Sequence, residues 1–264
     1  MAVDEAILGA VAEGASPPTV RFYDWNPPCL SLGRGQSETE VNAPACERAG
    51  IVCVRRPTGG RAILHRDELT YSISLPLTDP RAAGDIVESY RRISEGLAEG
   101  LWSLGIAVER AQPQAATHAP SPACFDAPAG HEITSGGRKL LGSAQFRSRG
   151  ALLQHGSLPL CGDIAGVVDF LALEDVARED LRSRLHATAI TLEEAAGRRI
   201  AFGEAMQALC EGVSRALNVD LSTGCLSPDE MSAAQSLCES KYTDLRRTRV
   251  RRSESAAAEM EASS

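Results

Sequence analysis

The chain has 264 residues and carries 27 Lys and Arg against 35 Asp and Glu, a formal net charge of −8. At ~150 residues per domain this length allows one large domain or two small ones, and 43% hydrophobic with 23% charged residues is the balance of an ordinary globular protein. An acidic chain lacks the basic face that counterion release on nucleic acid requires, no apolar run reaches the ~18 residues of a membrane span, and the start MAVDEAILGA carries acids where a signal peptide has a basic region. A cytoplasmic protein with neither nucleic-acid nor membrane partners is expected. Its eight cysteines are scattered, with no C-x-x-C pair and no two histidines at ligand spacing, so neither a disulfide framework nor a metal site is expected.

Residues 2–13 place Val3, Ile7, Leu8 and Val11 on one helical face, and Gly14 with Pro17-Pro18 ends that helix. TVRFYDW (19–25) and CLSLG (29–33) read as strands divided by an Asn-Pro-Pro turn; IVCVRRP (51–57), RAILH (61–65) and TYSISLP (70–76) continue a β-rich half. Over 85–104, Ile86, Tyr90, Ile93, Leu97, Leu101 and Leu104 recur at spacings of 4, 3, 4, 4 and 3, which predicts a helix whose apolar stripe enters a core. Residues 110–123 are rich in Pro and Ala without period and predict a mobile loop. HEITS (131–135), RKLLGSAQFR (138–147) and ALLQHGSLPL (151–160), separated by a Gly136-Gly137 turn and a Ser-Arg-Gly turn, predict a three-strand meander. Helices are expected near 163–171, 175–184, 202–217 and 228–240, followed by a disordered tail. Strands first and helices afterwards predict an α+β fold.

Two glycine-rich segments invite comparison with phosphate loops. Gly33-Arg34-Gly35 fails G-x-G-x-x-G at its last position, and no G-x-x-x-x-G-K-[ST] occurs. In Arg55-Arg56-Pro57-Thr58-Gly59-Gly60-Arg61 the glycines could bring backbone amides close to a ligand, or the segment could be a solvated hairpin turn. Cys124 lies between prolines in PACFDAP, a setting less core-like than the apolar runs around Cys53 and Cys210; most lone cysteines are nevertheless inert small hydrophobes. His155-Gly156-Ser157 lacks the G-x-S-x-G elbow of a serine hydrolase.

The ordered segments RFYDWNPPCLSLGRGQ, RRPTGGRAILHRDELTYS, ACFDAPAGHEI and GRKLLGSAQFRSRGALLQHGSL resemble the lipoate/octanoate protein transferase and ligase family, most of all its LipM-type octanoyltransferases. The resemblance runs from Met1 to about Tyr242 and implies one catalytic domain over 1–242, with 243–264 as the tail. It implies a fold like the biotin/lipoate protein ligase catalytic domain, a largely antiparallel or mixed sheet flanked by helices. It further implies a β-strand ahead of the segment matching MAVDEAIL, which this sequence lacks; a missing edge strand would leave a sheet edge open.

The implied reaction moves an octanoyl group from acyl carrier protein to a lysine of a lipoyl domain or of the glycine cleavage H protein. By motif, Cys124 would be the acyl-thioester nucleophile and Lys139 its catalytic partner. Arg56, Gly59, Gly60 and His65 would line the acyl pocket, with Gly142, Ser143, Gln145 and His155 on the facing meander. A Lys139 ammonium beside the sulfur would favour the thiolate. Ile63, Leu64, Leu140, Leu141 and Leu153 can supply an apolar tunnel, and Arg55, Arg56, Arg61, Arg66, Arg91 and Arg92 a local basic patch for an acidic carrier. The incoming thioester is already activated, so no cofactor is implied, and a monomer is expected. The alternatives within the family are an ATP-dependent lipoate–protein ligase and an amidotransferase between lipoyl proteins; a non-catalytic carrier-binding module stands outside it.

Overall fold

The computed structural model describes residues 1–110, 121–126, 132–148 and 150–243. Most of the loop expected over 110–123 and the tail after Thr243 lie outside the described residues. The first half holds α1 (Ala2–Ala12), β1 (Thr19–Tyr23), β2 (Cys29–Leu32), α2 (Ala43–Arg48), β3 (Val52–Arg55), β4 (Ile63–His65), β5 (Glu68–Pro76), α3 (Ile86–Ser103) and β6 (Glu109–Arg110). The second half holds β7 (Ile133–Ser135), β8 (Arg138–Ser148), β9 (Ala151–Pro159), α4 (Asp175–Thr188), α5 (Leu192–Ala196), α6 (Phe202–Leu217) and α7 (Pro228–Ser240). No helix among the described residues is long and apolar enough to cross a membrane.

Six strands form one antiparallel sheet in the order β1-β5-β9-β8-β7-β6. A smaller sheet, β3-β2-β4, is mixed, with β2 parallel to β3 and antiparallel to β4. The α+β expectation therefore holds, and the β7-β8-β9 meander turns at Gly136-Gly137 as its sequence predicts. The large sheet packs α3 and α6 on one face through Ile93, Leu97, Leu101, Leu209 and Val213. Those two helices approach backbone to backbone at Gly100 and Gly212, where a Cβ on Gly212 would stand 2.3 Å from the Gly100 nitrogen. On the other face α1 contributes Ile7, Leu8 and Val11 against Ala151 and Leu153.

The structure departs from the sequence reading at several local points. Over 163–171 it forms only a 3-10 turn, Gly166–Phe170, while α4 runs past 184 to Thr188, and α2 and α5 are additional. Ile86, at the head of the predicted core stripe, is 53% exposed. The first turn of α3 is held by polar contacts instead: Arg147 donates to the carbonyls of Ala82, Gly84 and Asp85, and Ser89 donates to Gln145. Finally, α1 buries Asp4 beside its apolar residues, where the carboxylate accepts from Arg21, from the Tyr23 hydroxyl at 2.6 Å and from Ser72 at 2.7 Å.

Candidate active site

Cys124 opens a single 3-10 turn, Cys124–Asp126, that is clamped from two sides. The segment before β4 takes it into a short parallel bridge: Ala62 N–H donates to the Pro122 carbonyl and Cys124 N–H to the Ala62 carbonyl, both at 3.0 Å. From the far side α4 donates Arg184 Nε to Asp126 at 3.0 Å and the Thr188 hydroxyl to the Phe125 carbonyl at 3.2 Å. Phe125 is buried in the core beneath, so the thiol projects from a fixed turn.

Lys139 reaches this turn from β8. Its Nζ donates to the Cys124 carbonyl at 2.8 Å, lies 3.8 Å from the Cys124 Sγ and pairs with Glu132 Oε1 at 2.7 Å. The ammonium also stands 4.9 Å from the centre of the Phe125 ring. Burial alone would pull the lysine's pKa down, but the charges of Cys124 and Glu132 and its hydrogen bonds outweigh that and raise it. Lys139 is therefore a fixed cation at neutral pH. Its strand carries a register shift against Ile133 and Thr134, so Leu140 and Leu141 both turn into the main core.

Opposite, the loop after β3 is built around Arg56, which is 3% exposed. Its guanidinium donates to the carbonyls of Ser31 (3.0 Å), Gly59 (2.9 Å) and Arg61 (2.7 Å), so it organises the loop from within. Gly60 takes φ +92°, and a Cβ there would stand 2.8 Å from Arg56 Nη2 and 4.0 Å from Cys124 Sγ; the loop closes on the cysteine only with glycine. Arg56 also donates to Ser31 Oγ at 3.1 Å, which lies 2.7 Å from His65 Nε2, while His65 Nδ1 lies 2.9 Å from Glu68. Ser157 and Thr70 also donate to Glu68, and the His65 ring stacks on Trp25. On β9, His155 Nε2 meets Thr58 Oγ1 at 2.6 Å, and burial drives its pKa down to about 3, so the ring is neutral.

These groups border a cavity of about 390 Å³. Arg56, Gly59, Gly60 and His65 form one wall and Gly142, Ser143, Gln145 and His155 the facing one, with Cys124 and Lys139 between them. Every residue singled out from the sequence as a site residue thus lies on one cavity. The tunnel and patch expectations need correction. Among the expected tunnel residues Ile63 lines this cavity, whereas Leu140 and Leu141 pack in the main core, Leu153 under α1, and Leu64 borders a second cavity of about 190 Å³. The expected patch divides too: Arg56 is buried, Arg55 donates to Gly33 and Gln36 carbonyls, Arg92 to those of Arg81 and Ala83, Arg61 borders the larger cavity and Arg66 the smaller.

Sequence reading missed Glu132 and Tyr90. A signal existed for the first: with the turn at Gly136-Gly137, Thr134 faces Lys139, so Glu132 lies two residues along on the same face, within diagonal reach. Tyr90 belongs to the predicted core stripe, yet it stands beside Ser143, which accepts from Tyr71 at 2.7 Å.

Residues 1–214 match the family model described as the lipoyl protein ligase A/B catalytic domain. The chain belongs to this family. It is 42% identical over 249 residues to an octanoyltransferase LipM of Symbiobacterium thermophilum, covering 92% of this chain and 90% of the relative. The fold is similar to that of a bi-partite lipoate protein ligase from Thermoplasma acidophilum, with TM-score 0.77 and 23% identity over 91% of this chain and 87% of that one. A lipoate-protein ligase A bound with ATP superposes with TM-score 0.72 and 26% identity, covering 91% and 89%. The expected architecture of the family is thus the observed one.

Proposed function

We propose that this chain is an octanoyltransferase of protein lipoylation that carries the acyl group as a thioester on Cys124. The donor is the octanoyl thioester of acyl carrier protein, and the acceptor is a lysine of a lipoyl domain or of the glycine cleavage H protein. The observation that carries the reading is the Cys124 sulfur at a 390 Å³ cavity with a buried, charged Lys139 3.8 Å away. The LipM relatives support the acyl group by name.

In the first half-reaction the Cys124 thiolate attacks the donor carbonyl, and the donor sulfur leaves with the electron pair of the broken C–S bond. The Lys139 ammonium stands 3.8 Å from the attacking sulfur. Its three N–H groups face the Cys124 carbonyl, Glu132 and the sulfur. Once the sulfur is acylated, the third is free to meet the developing oxyanion, a contact typically worth about 3 kcal/mol. Because its pKa is raised, Lys139 serves as a cation and not as the base that deprotonates the acceptor.

Intact-mass analysis with octanoyl carrier protein, without ATP, tests this. The wild type gains one octanoyl group that hydroxylamine removes, and Cys124→Ala gains none and transfers none. Turnover retained by Cys124→Ala in the presence of ATP would assign the chain to adenylate chemistry instead.

A further inference from the structure

Cys124 lines two cavities, and the proposed function uses only one. The second, of about 190 Å³, lies across Ile63 and Ser157, which border both. Its other walls are Leu64, Phe125, Ile164 and Val167, with the exposed residues Arg66, Asp67 and Asp169 at its rim. Resting on the acyl-Cys124 reading, we infer that this second cavity admits the acceptor's lysine side chain, so that donor and acceptor approach Cys124 by different routes.

Size separates the two. At ~30 Å³ for each heavy atom with its hydrogens, the share of one water in the liquid, an octanoyl group needs on the order of 270 Å³ and a lysine side chain on the order of 150 Å³. The larger cavity, about twice the smaller, suits the longer acyl chain, and the smaller suits the lysine side chain. Charge separates them in the same sense. The larger cavity presents Arg56, Arg61 and Lys139 against Glu132 alone. The smaller presents Asp67, Glu68, Asp163 and Asp169 against Arg66. Arg182 and His186 bond to Asp163, and Arg182 pairs with Asp169, but Asp67 has no ion-pair partner among the described residues. A primary ammonium on an apolar stem matches walls that are apolar within and acidic at the mouth.

At Cys124 the steps balance. The ammonium gives one proton to water, the amine nitrogen attacks the thioester carbonyl, and the C–N bond forms. The C–S bond then breaks with its electron pair passing to sulfur, and the second proton of the attacking nitrogen goes to that sulfur, restoring the thiol.

The test measures the two half-reactions separately, as octanoyl loading from the carrier without acceptor, then single-turnover transfer from isolated acyl-enzyme to an apo lipoyl domain. Ile164→Trp fills the mouth, and Asp67→Asn removes the rim charge while tolerating the left-handed backbone there, φ 52°. Loading should stay within twofold of wild type in both. Transfer should fall at least tenfold in Ile164→Trp and about threefold in Asp67→Asn, the latter deficit shrinking at high salt. Should Ile164→Trp not fold by far-UV circular dichroism, Asp67→Asn decides alone. Unchanged transfer, or a loss confined to loading, overturns the second route. A wild type that never loads overturns the acyl-enzyme itself, an outcome read before any variant is compared.

Discussion

The two cavities that meet at Cys124 are made from different parts of the fold. The larger is walled mainly by β4, β8, β9 and the glycine loop, where antiparallel register and the Arg56 hydrogen bonds hold each side chain. The smaller is walled mainly by the turn after β4 and the segment 161–170, whose charges sit at an exposed rim. Strand-borne groups are fixed by their neighbours and suit bond-making, whereas rim charges on turns can change without disturbing the sheet. Substitutions in the first cavity should therefore cost stability and chemistry together, and those around the second should alter one substrate at a time.

The largest break should come from Lys139→Ala. It leaves Glu132 buried without its cation, for which a loss of about 3–5 kcal/mol is typical, and urea unfolding should read it. Octanoyl loading should fall at the same time by roughly a hundredfold, as removal of a positioned charge does. Stability lost without loss of loading would confine Lys139 to a structural role.

His155 tests the facing wall through pH. Its folded pKa of about 3 lies below the ordinary histidine value, so below ~6.5 the unfolded chain binds a proton that the folded one refuses. Stability is present in full above ~6.5 and lost as pH falls toward 3, at up to ~1.4 kcal/mol per unit. Between pH 7.5 and 5 the wild type should lose about 2 kcal/mol more than His155→Gln; equal losses would mean that the ring is protonated where it stands.

Gly60→Ala forces a Cβ to 2.8 Å from Arg56 Nη2 on a backbone at φ +92°. A loss of about 1–3 kcal/mol is expected, with slower loading, because the loop must withdraw from Cys124. The smallest effects should separate the two rims. Arg61→Glu should raise the KM for octanoyl carrier protein several-fold at low salt and little at high salt. Arg66→Glu should instead lower the KM for the lipoyl domain; a common effect of both on the carrier would merge the two rims into one docking surface.

Much of this was legible from the chain alone. The strand–turn–strand rhythm of 131–160 is local chemistry: alternation sets the strands and Gly136-Gly137 sets the turn, at positive φ in both residues. The 3.6-residue period of α3 is equally local, and the four ordered motifs named residues that lie around one cavity. What the sequence could not say is which way several of those side chains turn. The register shift beside Thr134 sends Leu140 and Leu141 into the core, and Arg56, expected both on the pocket wall and in a basic patch, lies buried because three loop carbonyls replace its water. Glu132 closes on Lys139, and Arg184 reaches Asp126 from 58 residues away. Propensity and periodicity act over a few neighbouring residues. Burial of a charge and the meeting of two cavities at one cysteine depend on residues far apart in sequence, so only the assembled sheets and helices decide them.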